Sequence, residues 1–340
     1  MASSFGNRIL TTTQDELLPR VVDTILNSNV FATRMLSAAK KWKGEQLKRA
    51  IKVSKNVTGT SFTGFDTFST SATDNRQRLI FDPKFYQITV ALPLTELSVN
   101  DVQATKVIDL MSVEMEGSAQ DMADDIGTLF YGDGTGNSSK DPQGLGNIVD
   151  DGTDTSTYGE LTRTSFTSIN ATVTASGGTL SLAKMNTLYN NVRSGSQKPT
   201  VGFCDETVWG LYEQLLQPQE RINKTSGTSK GLRAETGFVG LDYKGFPILA
   251  DEKATAQTLF FLNEEWIDWY ALPVAMTEPV KFKTVIEGND YGQPMGLGFS
   301  WSGWIKPSNS ATVVGHIYLG GNLISWNSKR HGKLTGITGV

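Results

Sequence analysis

A single cysteine, Cys204, and two histidines, His316 and His331, are all that 340 residues offer to thiol or imidazole chemistry. One cysteine makes no internal disulfide and no thiolate zinc site. Two histidines leave no Ser/His/Asp or Cys/His order to assemble. No apolar run approaches the roughly 18 residues of a membrane span. The opening residues, MASSFGNRILTTTQDELLP, have no long apolar stretch behind a basic one, so they do not read as a secretory signal. Charge of one sign is missing too. The 31 Lys and Arg stand against 35 Asp and Glu, a net of -4, which excludes a chain gripping nucleic acid through many phosphate contacts. What is present is globular: 38% hydrophobic residues and 34 glycines, enough for one large domain or two to three small ones with a sizeable core.

Along the chain, residues 10–40 read as helical, with Thr13 and Glu16 placed for a capping box and Leu17, Leu18, Val21, Val22 and Ile25 at helical spacing. A basic block follows: Arg34, Lys40, Lys41, Lys43, Lys48, Arg49, Lys52 and Lys55 against the lone acid Glu45. Residues 46–58 alternate as a strand, and so does the run Tyr86, Ile88, Val90, Leu92. The two are expected to pair as a long antiparallel hairpin with a tip of about 20 residues, beyond ordinary hairpin loops. Phe62, Phe65 and Phe68 sit in that polar tip, where disorder alone does not favour aromatics; anchors on a projecting loop suit burial against another chain. Pro93 ends the second strand. A helix over 101–131 carries Val107, Met111, Met115, Met122, Ile126 and Leu129 as one stripe, with Asp101, Asp109, Glu114, Glu116, Asp121, Asp124 and Asp125 against Lys106 alone. It stops at Gly132.

Residues 150–180 read as exposed strands or loops. Ser181 is placed to cap a helix bearing Leu182, Met185, Leu188, Tyr189 and Val192, and Gly195 to end it. The strand TVGFC precedes a second helix, capped by Asp205 and stopped by Pro218. A loop follows over 224–231, then strands at Phe246–Ala250, Thr258–Leu262 and Trp266–Leu272. The last apolar run, Ala311–Leu319, ends in a Gly-Gly turn, and Trp301, Trp304 and Trp326 fill a core or an interface.

The chemical motifs mostly resolve into structural ones. Gly132-Asp133-Gly134-Thr135-Gly136 closes a helix, whereas a phosphate-binding fingerprint opens one, so it reads as a C-terminal turn. Asp124, Asp125, Asp133, Asp141, Asp150 and Asp151 do not have calcium-loop spacing. His316 reads as a hydrogen-bonded strand residue and Cys204 as a small hydrophobe. No cofactor or metal is expected. A carbohydrate-active enzyme would need two carboxylates roughly 5–10 Å apart beside the tryptophans.

The element order, with FYQITVALPLTELSVND leading into the acidic helix and then into LFYGDGTGNSSKDPQGLGNIVDD, resembles the major capsid protein of tailed double-stranded-DNA bacteriophages. The segment SLAKMNTLYNNV…PTVGFCDETVWGLYEQLL is similar to that family's axial domain, and YKGFPILAD to its Gly-x-Pro strand. The resemblance implies an α+β, Hong Kong 97-type capsid fold. It would comprise an N-terminal arm (1–44), an extended β-hairpin loop (45–95), a peripheral domain with a long spine helix (96–160), an axial domain (161–290) and return strands (291–340). It implies a structural, non-enzymatic subunit that self-assembles as hexamers and pentamers into an icosahedral head around packaged double-stranded DNA. That places it in the virion, assembled in the bacterial host cytoplasm, without sequence-specific DNA contacts and without a membrane. Met1 stands directly before the arm, so a separate scaffolding protein is expected, with a portal and a decoration protein as further partners. The tip from Gly59 to Asn75 has no lysine, so no covalent crosslink between subunits is expected. Lys40, Lys41, Lys43 and Lys48 are expected to face Asp121, Asp124 and Asp125, in one subunit or across two. The alternative within the same fold is an encapsulin-like shell of a bacterial nanocompartment.

Overall fold

The computed structural model describes residues 29–100, 110–175, 177–223, 241–272, 274, 278–279, 299–302 and 305–340. The elements expected around Thr13 to Ile25, over 101–109 and over 224–231, and Trp304, lie outside them.

Two sheets organise the chain. In the first, the long strand Thr312–Ser325 is the hub. Lys84–Pro93 lies antiparallel along it, with Lys84 opposite Gly321 and Pro93 opposite Thr312. Ile267–Ala271 and Phe299–Trp301 also pair with it antiparallel. Lys40–Lys41 runs parallel to Tyr270 and Ala271 at one margin, and Glu278–Pro279 pairs with Phe299–Trp301 at the other. The helix Leu110–Tyr131 packs against this sheet through the buried Met122, Ile126 and Phe130. Val90 and Leu92 are buried while Gln87, Thr89 and Ala91 are exposed, the period-two pattern of a half-buried strand.

The second sheet runs Leu241–Tyr243, Phe246–Ala250, Val201–Cys204, Leu259–Leu262, Gly332–Leu334, Thr172–Thr174. Val201–Cys204 and Leu259–Leu262 are buried at every residue, which is why they read as continuous apolar runs. The helix Leu182–Val192 buries Met185, Leu188, Tyr189 and Val192 here, and the Ser181 hydroxyl accepts from the Lys184 N–H at 3.3 Å. Phe31, from the helix Val30–Ser37, links the cores of the two sheets: its ring lies 6.1 Å from Phe130 and 5.1 Å from Phe203.

Three sequence expectations are corrected. First, the hairpin exists with a different second strand. Leu47–Lys52 pairs with Arg76–Phe81, whereas Lys84–Pro93, which contains Tyr86 to Leu92, belongs to Thr312–Ser325. Asp82 and Pro83 form the corner between them; alternation marks a strand but does not choose its partner. Second, the helix capped by Asp205 runs from Glu206 to Asn223, through Pro218. Proline removes one helical donor yet fixes φ near the helical value, and the turns on both sides carry the helix across. Third, Gly320 and Gly321 do not end their strand, which continues to Ser325. A Cβ on Gly320 would collide with the Leu272 carbonyl, and one on Gly321 with the Tyr270 carbonyl and the Trp269 indole. Both glycines permit close backbone approach within the sheet.

The turn after the long helix is built the same way. Gly132 N–H donates to Leu129 O at 3.0 Å, Gly134 takes φ +77°, and Gly146 N–H returns to Gly132 O at 3.0 Å. A methyl at Gly144 would lie 2.5 Å from Leu129 O and 2.6 Å from Phe130 O and Gly132 O, all of them backbone atoms. Gly144→Ala should therefore destabilise by about 1–3 kcal/mol, as overpacking does. Thermal unfolding reads this as a lowered midpoint with unchanged far-UV circular dichroism before the transition.

Candidate assembly surfaces

The paired strands Leu47–Lys52 and Arg76–Phe81 form a two-stranded ribbon. Its inner face is anchored by Leu79 and Phe81, both buried; the Phe81 ring lies 5.3 Å from Tyr158 and 5.6 Å from Trp326. The Arg49 guanidinium sits 5.4 Å over the Trp326 ring. The outer face carries Lys48, Lys52, Arg76 and Arg78, all exposed. No acid lies in either strand, and among the described residues no ion pair engages these cations. Sequence reasoning missed Arg76 and Arg78, which it left in the loop. The alternation of Gln77, Leu79 and Phe81 was the available signal.

Residues 53–75 form the tip. Asn56 Oδ1 accepts from the Thr58 N–H at 3.1 Å and from the Thr58 and Thr73 hydroxyls at 2.8 and 3.3 Å, tying the two sides of the neck. Beyond it, Phe62 is 66%, Phe65 106% and Phe68 63% exposed. Phe62 and Phe68 meet edge to face at 5.1 Å. The three rings keep most of their apolar area in water, area worth about 25 cal/mol per Å² if covered.

Among the described residues, no ion pair within one chain joins the two charge blocks. Lys40 pairs with Asp268 at 2.7 Å, and Arg34 grips Glu264 with two hydrogen bonds of 2.8 and 2.9 Å. Asp124 is taken by Lys253 at 2.8 Å, and Asp125 accepts from the Tyr86 hydroxyl at 2.8 Å. Lys40 and Asp124 thus each have another partner within the chain: strand pairing puts Lys40 beside Tyr270, two residues from Asp268. Lys41, Lys43, Lys48 and Asp121 are exposed and have no ion-pair partner among the described residues.

A buried polar centre also escaped the sequence reading. Arg163 and Asp150 are both fully buried, with Arg163 Nε 3.8 Å from Asp150 Oδ2. Arg163 donates to the carbonyls of Asp150 (2.8 Å), Ile169 (3.2 Å) and Asn147. Asp150 accepts from the N–H groups of Gly152, Thr155 and Asp154 and from the Thr155 hydroxyl. Burial pushes the Asp150 pKa up, but the hydrogen bonds led by those from Thr155 outweigh it and hold the carboxyl below its ordinary range. Lys333, 3.0 Å from Asp154 and 4.0 Å from Asp150, attaches this centre to the second sheet.

The buried Ser325–His331 side-chain pair does not suit nucleophilic chemistry. His331 Nδ1 accepts the Asn263 N–H at 3.3 Å, so Nε2 carries the proton and donates to Ser325 Oγ at 2.9 Å. Both residues are fully buried, and burial pushes the imidazole pKa down to about 3. A ring that donates to the serine cannot take its proton. His316 Nδ1 and the Thr89 hydroxyl lie 3.0 Å apart across two paired strands, the structural role expected of it. Cys204 is buried, and its thiol pKa is pushed up by burial. Among the described residues no group of three His, Cys, Asp or Glu is placed to hold a metal, and no helix is long and apolar enough to cross a membrane.

The described residues form two sheets, a long helix across one of them and a two-stranded ribbon, an arrangement that defines a fold class. No family model matches the chain, and no curated protein matches it in sequence. Solved structures do match. The capsid protein of cyanophage A-1(L) superimposes with a TM-score of 0.75 at 12% identity, covering 96% of each chain. The capsid protein of the myovirus XM1 gives 0.54 at 12% identity, covering 99% of this chain and 100% of the other. An encapsulin from Synechococcus elongatus gives 0.58 at 10% identity, covering 99% and 96%. The chain therefore has the α+β, Hong Kong 97-type fold of phage major capsid proteins, as its sequence resemblance implied.

Proposed function

We propose that this chain is the major capsid protein of a tailed bacteriophage. It is a structural subunit, not an enzyme, that self-assembles as hexamers and pentamers into the icosahedral head around double-stranded DNA. The observation that carries this reading is a fold shared from end to end with phage shell proteins, combined with three phenylalanines held in water at the end of a ribbon. In this reading residues 1–44 are the N-terminal arm, 45–95 the extended loop, 96–160 the peripheral domain, 161–290 the axial domain and 291–340 the return strands. A scaffolding protein, a portal and a decoration protein are its partners, the host cytoplasm its place of assembly and the virion its destination. Negative-stain microscopy of the purified chain tests the reading: closed shells or six- and fivefold capsomers are expected, and a chain that stays monomeric at high concentration overturns it.

The likeness to an encapsulin favours one second reading, a nanocompartment shell enclosing an enzyme. Purification from the native source separates the two, because portal and packaging proteins accompany a phage head and a cargo enzyme accompanies a nanocompartment.

The charge blocks enter as contacts between subunits. Lys41, Lys43 and Lys48 on one copy face Asp121 on the next, since Lys40, Asp124 and Asp125 already have partners in their own chain. Each exposed pair is worth at most about 1 kcal/mol. Asp121→Lys should lower assembly yield at low salt, and Lys41→Glu with Lys43→Glu should partly restore it. The difference should fade as salt shortens the Debye length below roughly 8 Å. Equal yields across the salt series would show two independent solvated faces.

A further inference from the structure

We propose that the cleft between the ribbon and the body of the same chain is a binding site for a phosphate group, free or carried by a nucleotide. The site lies within one chain and stands whether or not copies assemble into a shell. The cleft has a volume of about 210 Å³, with Arg49 and Lys52 on the ribbon side and Ser168 and Trp326 on the body side. A cavity of about 150 Å³ already admits a benzene-sized ligand, so one or two phosphate groups fit.

Charge selects the ligand. Among the described residues that line the cleft, Arg49 and Lys52 are charged and none is acidic. Lys52 stands directly opposite Arg76, and Ala50 opposite Arg78, so two further cations lie on the facing strand. Like charges set opposite each other in a ribbon destabilise it. A dianion in the cleft would offset that repulsion. The cleft also touches Leu79 and Ile169, both buried, so a charge held against them is screened less than one on an open surface.

Arg49 is placed for a two-point contact. Its guanidinium lies 5.4 Å over the Trp326 ring. That ring is fixed in turn: its Nε1–H donates to the Tyr270 hydroxyl at 2.9 Å, and Phe81 meets it edge to face at 5.6 Å. Stacking uses the face of a guanidinium and leaves its in-plane N–H donors, whose fork matches two oxygens of a phosphate. Among the described residues no carboxylate pairs with Arg49. Across the cleft the Ser168 hydroxyl oxygen is buried and has no hydrogen-bond partner among the described residues. A buried hydroxyl without a partner is costly, and a phosphate oxygen would supply the acceptor.

Titration calorimetry of the full chain with inorganic pyrophosphate tests the site. Saturation at one anion per chain is expected, with a raised melting midpoint, because a ligand of the folded state stabilises it. Arg49→Ala should weaken binding at least tenfold, the loss that follows removal of a hydrogen bond between charged groups. Arg78→Ala removes the same charge from the facing strand, outside the cleft lining, and should change the affinity by no more than about threefold. If Arg49→Ala does not fold, Arg49→Lys decides instead, because it keeps the charge and loses the planar fork: a loss of several-fold supports the site, and parental affinity overturns it. Adenosine monophosphate and inorganic phosphate separate the two sources. Tighter Arg49-dependent binding of the nucleotide assigns the site to a nucleotide; equal or weaker binding assigns it to the free anion. No saturable binding at millimolar pyrophosphate, or equal losses in Arg49→Ala and Arg78→Ala, overturns the proposal and leaves two solvated cations beside the ribbon. Neither outcome bears on the shell reading, which particle formation tests.

Discussion

Arg163→Met should cost the folded chain about 3–5 kcal/mol, the range for leaving one member of a buried ion pair without the other. Two consequences combine. The Asp150 carboxylate, fully buried, loses its cation, and the carbonyls of Asn147, Asp150 and Ile169 lose the guanidinium that ties them. The pH dependence has a definite sign. Because the Asp150 pKa is lowered on folding, its contribution is complete above the ordinary carboxylate pKa of about 4 and is lost as pH falls through the folded value. Removing the nearby positive charge raises the folded pKa, so acid unfolding of the variant should begin at higher pH than in the parent. Urea unfolding of the free chain at neutral and acid pH measures both effects. Equal midpoints for parent and variant at neutral pH would show that the pair contributes nothing net.

Removing residues 60–75 should abolish particles while leaving a soluble, folded chain. The deletion keeps the strand pairs from Leu47 with Phe81 to Lys52 with Arg76, loses from the ladder only the bond from the Val53 N–H to the Asn75 carbonyl at its end, and takes Phe62, Phe65 and Phe68 with it. None of the three belongs to either core cluster, so folding should not require them. Their burial in a neighbour would gain about 1.5–3 kcal/mol for each ring fully covered. Repeated at every copy, that area would favour association in the proposed shell. Sedimentation velocity and electron microscopy measure the outcome; particles of normal size and yield would remove the tip from the assembly contacts.

The periodic signals in the sequence were local, and so was what they located well. Met122 and Ile126 sit where a helical stripe puts them, and Val90 and Leu92 where a strand's inner face puts them. The Ser181 cap needs only three residues of context. Partners were another matter. Lys84–Pro93 finds its strand more than two hundred residues downstream, and nothing in its alternation points there. Pro218 and the Gly320-Gly321 pair were read by their usual local meanings; the helix runs through the first, and packing against Leu272 and Trp269 overrides the second. Of the candidate surfaces, the exposed aromatic tip was legible because phenylalanine in a polar loop has no local explanation. The Asp150–Arg163 centre was not, because a Ser/Thr-rich stretch around an arginine looks like surface until the fold closes over it.

The pairing of Lys84–Pro93 with Thr312–Ser325 carries a mechanical consequence. The two strands are bonded over ten residue pairs, from Lys84 with Gly321 to Pro93 with Thr312. Antiparallel ladder bonds lie perpendicular to the strands, so a pull along the strand direction strains them all in parallel, whereas a pull across the pair would open them one after another. The ribbon joins this strand through the two-residue corner Asp82–Pro83. In the proposed shell, tension from a neighbour that holds the tip would reach that ladder through this corner. A load along the strands would meet the ladder in shear, its resistant direction, and a load from the side would peel it.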